Sequence, residues 1–349
     1  MSKKIIIILS IILVLVIGSI IIYSNDDKET LAAGSTLADT VIAQNQGTSW
    51  SAGTTGVYQT NGHEYRYVGK EPNNYVRFNN DMYRIIGVFD DYSHGVTGKN
   101  LVKLIRSRFL GSFSWGNYNS SNTSGTYSSY KNDWTGNTTG IKANLNVLLN
   151  EYFYNKTNTS NTYGNCSNWT YYNSNTNYRT NDCSDVVGYG LPSNLRNYIH
   201  TDATWYLYGY SSYSLSKQNF YLCERGAYDG CTSANSGAYA TSTIAPIGLM
   251  YVSDYMYASG YYSSTDTTTG SSSYYGNQNW LYKGYEWTIT PRSNNSTNSF
   301  HVYYYGSVRY SNAYLGYGAR PTFYLKSDVY VTGGTGSFDD PYTIACDNC

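Results

Sequence analysis

A chain of 349 residues with 23 basic and 23 acidic side chains carries no net charge, which excludes a reader of phosphate backbones held by charge, so nucleic acid is not an expected partner. Only 13% of the residues are charged while tyrosine alone supplies 43, so the surface must draw its polarity from neutral hydroxyls and amides. The length suits one large domain behind an anchor and a linker.

Residues 1–4 read as a cytoplasmic stub, and 5–23 form an uncharged apolar run, "IIIILSIILVLVIGSIIIY". A helix of that length spans about 29 Å, close to the roughly 30 Å of a bilayer's hydrocarbon core. Lys3 and Lys4 precede the run and Asp26 and Asp27 follow it, so the positive-inside rule predicts a cytoplasmic N-terminus and an extracellular remainder. The run is longer than a signal-peptide core, and the small-residue stretch "LAAGS" at 31–35 lies several polar residues beyond it; a single-pass anchor in the cell membrane is therefore preferred over a cleaved signal. Residues 24–64 are polar and rich in Gly, Thr and Ser, the composition of an extracellular linker or stalk.

A single extracellular domain is expected over 65–349. "YVRFNNDMYRIIGVF" at 75–89 predicts a tight hairpin through Asn79 and Asn80, since asparagine tolerates left-handed backbone angles. "LVKLIRSRF" at 101–109 predicts a further strand with Lys103, Arg106 and Arg108 on a solvated face. The aperiodic stretch 116–140 reads as a long surface loop. The period then becomes helical in "GIKANLNVLLNEYF", with Thr138 or Thr139 as cap, and again in "PSNLRNYI" at 192–199, with Ser193 as cap. Hairpins with about two helices predict an α+β fold.

Export makes the six cysteines candidates for disulfides, and 15 connectivities are open. Local pairs are preferred: Cys166 with Cys183, Cys223 with Cys231, Cys346 with Cys349. The last pair, in "CDNC", also has the look of half a zinc site, but no second C-x-x-C or nearby histidine completes a tetrahedral set. Asp339 and Asp340 are the adjacent acids a calcium ion would use, yet they lack the alternating spacing of a calcium loop, so a solvated turn and no cofactor are expected.

Near the C-terminus, "ARPTFYLKSD" predicts a strand entered at Pro321, where a missing amide donor costs least, with Phe323 and Leu325 on one side. Arg320 beside it is expected to satisfy carbonyls or a carboxylate such as Asp254 or Asp328. Trp287 in "WTIT" reads as core. No metalloprotease, nucleophile-elbow, phosphate-loop or dinucleotide motif occurs in context. His200 reads as a helix-end residue, and His301, alternating with Phe300 and Val302, as a residue on a hairpin surface.

The order of "YLCERG", "IGLMYVSDYMYAS", "NWLYKGYEWTITP" and "ARPTFYLKSDV" resembles an uncharacterised exported-protein family of gut-associated bacteria of the Gram-positive lineage, over about residues 65–344. The layout of a Trp strand, a hairpin and an Arg-Pro strand also looks like the C-type lectin-like fold shared with sulfatase-modifying, formylglycine-generating proteins. That resemblance implies mixed, mainly antiparallel sheets with long irregular loops, and ligand contacts clustered near the C-terminus. A formylglycine-generating activity would need a paired reactive cysteine site, which does not map onto this chain, so an extracellular enzyme of that kind is the alternative rather than the first reading. "FHVYYYGSVRYSNAYLGYGARP" at 300–321 mixes tyrosines with small residues as adaptable binding surfaces do. Tyr303, Tyr305, Tyr310, Tyr314 and Tyr317 are therefore the expected ligand contacts of an adhesin-like surface protein whose ligand is a glycan, a protein or a wall polymer.

Overall fold

Alternating apolar residues and asparagine turns dominate the first hundred residues of the fold. In the computed structural model, which describes residues 35–116, 130–155, 170–174, 177–180, 186, 190–260 and 278–349, they form a sheet. Gly56–Thr60 (β1) and Glu64–Val68 (β2) pair antiparallel. Tyr75–Phe78 (β3) turns into Asp81–Phe89 (β4) through Asn79 and Asn80, at φ 56° and 54°, the left-handed angles that match the strand twist of a two-residue hairpin. Leu101–Arg106 (β5) then runs along β4.

Gly111–Ser114 (β6) leaves for a second sheet, and Thr170–Ser174 (β7) with Asn177–Thr180 (β8) makes a separate hairpin. Thr204–Tyr206 (β9), Tyr208–Gly209 (β10), Thr232–Ser233 (β11) and Ser242–Ile244 (β12) form two ribbons, β9 with β12 and β10 with β11. Glu286–Pro291 (β13), Asn298–Val302 (β14), Val308–Asn312 (β15) and Gly316–Ala319 (β16) complete the second sheet in the order β15-β14-β13-β16-β6. Thr322–Tyr324 (β17) follows Pro321 back to the first sheet, giving β1-β2-β4-β5-β17 with β3 beside the start of β4. Tyr330–Gly333 (β18) and Thr343–Ala345 (β19) close the chain as a hairpin. The fold is α+β with mostly antiparallel pairing; among the described strands β13 and β16 pair in parallel, and single parallel bridges join Asn45 to Val57 and Val76 to Tyr342.

The expected stalk ends earlier than its composition suggests. The compact unit begins at Thr36, where Thr36 and Asp39 form a capping box for the helix Leu37–Ile42. Leu37 and Val41, four residues apart on one helix face, are fully buried, as is Val57 of β1. The polar residues between them are turn residues inside the fold, not spacer. Residues 1–34, including the apolar run 5–23, lie outside the described residues. Among the described residues no helix is long and apolar enough to cross a membrane.

Other expectations shift locally. The periodic segment after residue 141 is an α-turn at Asn144–Val147 that widens into a π-helix, Leu148–Tyr154, and begins at Ala143 without a side-chain cap. The amides of Thr138 and Thr139 donate instead to the Asp133 carboxylate. Ser193–Arg196 is helical but is capped by Pro192, one residue before the serine expected there. The described end of the supposed surface loop points inward: Tyr130 and Trp134 are buried, and Asn132 Nδ2 donates to the carbonyls of Arg292 and Asn298. Cys223–Cys231 and Cys346–Cys349 are disulfides with Cα separations of 5.3 and 5.5 Å. Cys166 and Cys183 lie outside the described residues.

The interior is aromatic. Trp115 Nε1 donates to the Thr288 carbonyl at 2.8 Å and Trp287 Nε1 to the Phe113 carbonyl at 2.9 Å, a reciprocal lock between the β6 and β13 regions of the second sheet. Phe323 of β17 packs on Phe78 and Tyr83 of the first. Trp287→Ala and Phe323→Ala should each lower unfolding free energy by about 3–5 kcal/mol, read as a shifted urea midpoint.

Candidate functional site

Strand β5 carries its charges into the protein rather than to water. Lys103 and Arg106 are buried, and only Arg108 is exposed. Lys103 Nζ donates to Asp254 Oδ2 at 2.8 Å and lies 4.6–5.2 Å from the ring centres of Tyr251, Phe89, Tyr324 and Trp205. Burial pushes this lysine down to about 8 despite the adjacent carboxylate. Arg66 Nη1 donates to the other Asp254 oxygen at 2.8 Å and Arg66 Nη2 to Glu64 at 2.7 Å. Burial alone would raise Asp254, but Lys103, Arg66 and the Tyr251 amide hold it below the usual carboxylate range. The network extends through Glu64 to Tyr221 at 2.9 Å and to Ser93, which accepts from Arg225. These are fully desolvated ions whose partners are each other.

Arg320 is satisfied in the way its position predicts, but by a different acid. Its Nε and Nη2 clasp Glu286 at 2.6 and 2.7 Å, and Nη2 also donates to the Leu281 carbonyl. Neither Asp254 nor Asp328 is its partner. Asp254 is already claimed by Lys103 and Arg66.

The expected tyrosine surface is rebuilt by the turn that joins β14 to β15. Tyr303 to Gly306 form this turn: Gly306 N donates to the Tyr303 carbonyl and Tyr303 N to the Ser307 carbonyl, with Gly306 at φ 87°. Tyr304, outside the set of expected contacts, is 55% exposed beside Tyr305 at 52%. Tyr285, also missed, is 38% exposed and stacks on Tyr317 at 5.0 Å and Tyr304 at 6.2 Å, with Tyr303 edge-on at 5.2 Å. Tyr304 and Tyr305 meet edge to face at 4.5 Å. The turn is held from below by Tyr255, whose hydroxyl donates to the Gly306 carbonyl at 2.7 Å, and from the side by Tyr282 on the Tyr304 carbonyl. Of the five tyrosines expected to bind, Tyr303, Tyr305 and Tyr317 gather in this cluster. Tyr310 lies away from it, half-buried between Arg292 and Tyr213. Tyr314 is a correction: at 5% exposure it is part of the core. The signal that would have found Tyr304 is the Y-Y-Y-G turn itself, which presents its middle residues outward; Tyr285, just before β13, joins them through tertiary pairing that no local motif announces.

His301 is likewise a correction, since it is buried behind the cluster rather than on the hairpin surface. Its Nδ1 donates to the Val302 carbonyl at 3.0 Å, so Nε2 accepts from the Ser311 hydroxyl at 2.9 Å. That is the layout of a nucleophile and its base. Burial, however, pushes the imidazole down to about 4, which leaves it a weak base at neutral pH. His200 is half-buried; its amide donates to the Tyr324 carbonyl and its Nδ1 accepts from Asp202 N.

Asp339 and Asp340 are exposed in the turn between β18 and β19, where the Asp340 carbonyl accepts from Thr335 N. Among the described residues, the one group of three potential metal-ligating atoms is Asp328, Cys346 and Cys349. Its two sulfurs are joined to each other, so neither is a thiolate ligand. Comparison with protein-family models, with curated proteins and with solved structures finds no match to this chain.

Two measurements probe these buried groups. Asp254→Asn leaves Lys103 and Arg66 short of a counter-ion and should cost about 3–5 kcal/mol in urea unfolding, whereas Lys103→Met, which leaves Asp254 paired with Arg66, should cost clearly less. For His301 the folded imidazole titrates near 4 and the unfolded one near 6.5, so its contribution to stability is present above the unfolded value and is lost as pH falls toward the folded one. Acidification from pH 7 to 4.5 should therefore cost the wild type about 2 kcal/mol more than His301→Gln; equal losses in the two proteins would show that His301 is not the titrating group.

Proposed function

We propose that this chain is a membrane-anchored cell-surface recognition protein whose domain binds an extracellular glycan, protein or wall polymer through Tyr285, Tyr303, Tyr304, Tyr305 and Tyr317. The observation that carries the reading is the exposed, mutually stacked tyrosine cluster, pinned at its turn by Tyr255 and Tyr282. Tyrosine rings offer large amphipathic contact area with few torsions to freeze, and stacking fixes those torsions before a ligand arrives. The aromatic faces suit sugar rings and apolar side chains, while the hydroxyls supply hydrogen bonds.

The apolar run at 5–23, with lysines before it and aspartates after, supports a single-pass anchor with a cytoplasmic N-terminus. Two disulfides agree with an oxidising location for the domain. A C-type lectin-like architecture belongs to the same proposal and draws on the mainly antiparallel sheets and the C-terminal position of the cluster.

The full chain in detergent, screened on glycan and peptide arrays and against purified wall polymers, tests the reading. At a true contact, Tyr304→Ala or Tyr305→Ala should weaken binding by more than about 1 kcal/mol with the melting temperature almost unchanged. Tyr314→Ala should instead lower stability by about 3 kcal/mol. Binding that survives both surface substitutions rejects the cluster as the site.

A further inference from the structure

A cavity of about 430 Å³ opens beside the β3–β4 hairpin, a volume in the range of small-molecule sites. The pleat of β3 buries Tyr75, Val76 and Phe78 and leaves Arg77 exposed. Two backbone bonds fasten the turn between β18 and β19 along the same strand: Tyr75 N donates to the Gly336 carbonyl at 2.8 Å and Arg77 N to the Tyr342 carbonyl at 2.9 Å. Phe338 of that turn therefore meets Tyr75 edge-on at 5.4 Å with its own ring 64% exposed, and the two rings give the cavity an apolar wall.

The charged lining comes from separate elements. Arg77 lies on β3, Arg108 just past β5 and Lys283 just before β13, and all three are exposed. Arg108 gives one nitrogen to Asp81 at 3.1 Å and keeps 69% of its side chain in solvent. Arg77 and Lys283 have no ion-pair partner among the described residues. Asp81, the one acid among the described lining residues, already accepts from Arg106 at 2.6 Å and from the Met82 amide. Arg84 is a floor rather than a contact: it is buried, 4.1 Å from the Tyr75 ring centre, and paired with Glu71 at 2.9 Å. Asp339 and Asp340 follow Phe338 in the chain but do not line the cavity. With these direct partners included, five cations stand against two carboxylates, a surplus of three charges in a chain with no net charge. Desolvation and the Arg320 and Arg84 guanidiniums lower the proton affinity of Lys283, outweighing Glu71 and Glu286, as happens where cations gather without an anion.

Guanidinium and ammonium groups converging from three elements favour an anion with several acceptor oxygens. A phosphate ester carries about −1.5 to −2 charges and three such oxygens near neutral pH, more than a carboxylate offers, while Phe338 and Tyr75 suit a ring with an apolar face. We infer that this cavity binds a sugar phosphate, with the phosphate among Arg77, Arg108 and Lys283 and the sugar ring against Phe338. The site does not rest on the role proposed for the tyrosine cluster.

Titration calorimetry of the full chain in detergent with glucose-6-phosphate, glucose, glucuronic acid and inorganic phosphate tests the assignment. Glucose-6-phosphate should bind roughly tenfold or more tightly than glucose, which lacks the charge, than glucuronic acid, which has fewer charges and oxygens, and than inorganic phosphate, which lacks the ring. Arg77→Met and Lys283→Met should each weaken glucose-6-phosphate by roughly tenfold. Phe338→Ala should narrow its advantage over inorganic phosphate, and Tyr305→Ala should leave all four titrations unchanged. Arg77→Glu, at the exposed position of β3, reverses a charge at the mouth and should abolish binding even if Lys283→Met does not fold. The inference is overturned if the folded wild type does not bind glucose-6-phosphate, or if glucose, glucuronic acid or inorganic phosphate binds as tightly. It is also overturned if folded Arg77→Glu or Lys283→Met retains full affinity.

Discussion

Asp254 holds two cations in its two carboxylate oxygens, one from β2 and one from β5, and much of the architecture is arranged around that clasp. The same carboxylate accepts from the Tyr251 amide and so caps the short helix Val252–Tyr257. That helix reaches the second sheet through Val252 N on Thr290 Oγ1, next to the Ile289 amide on the Met250 carbonyl. It also reaches the exposed turn through Tyr255. Burying three ions is costly unless every oxygen and proton is matched; here both cations come from the first sheet, and the helix that carries Asp254 is bonded to the second. The clasp therefore fixes the relative position of the sheets, and the tyrosine cluster inherits its position from them.

A chain with so few charges builds both interior and surface from tyrosine. Inside, each ring brings a hydroxyl that burial favours pairing, and many are paired, although those of Tyr83 and Tyr324 are not. The Tyr251 hydroxyl accepts from the Tyr206 amide, Tyr221 donates to Glu64, and Tyr67 donates to Gln44. These bonds let aromatic volume occupy places where phenylalanine would leave backbone or carboxylate groups unsatisfied. On the surface the same residue exposes a face and an edge, and the cluster around Tyr285 orders those faces by stacking them on one another.

Local geometry was legible in the sequence wherever a single residue type dictates it. Asn79-Asn80 marked the hairpin, Pro321 marked the entry to β17, and the spacing of Cys223 and Cys231 marked their bond. Alternation also placed Trp287 and Phe323 in the interior. What resisted reading were choices made by partners far along the chain. Lys103 and Arg106 look like solvated strand charges until Asp254 and Asp81 are brought to them. Tyr314 and Tyr304 belong to one run of tyrosines and small residues, yet one is core and the other surface, because a turn rather than a strand occupies 303–306. Leu37 and Val41 were hidden by the Gly, Ser and Thr around them, since two apolar residues make too weak a period to stand out.

The docking of that first helix links the two ends of the folded unit. Leu37 N donates to the Val329 carbonyl, Thr36 bridges to Tyr330, and Gln44 Nε2 donates to the Tyr342 hydroxyl across 298 positions of sequence. At a synthesis rate of about 5–20 residues per second, the partners of this helix leave the ribosome tens of seconds after the helix itself. Until then these three anchors cannot form. Gln44 also accepts from the Tyr67 hydroxyl and Gln46 N donates to the Val57 carbonyl, so part of the seating is available early and the last residues of the fold complete it.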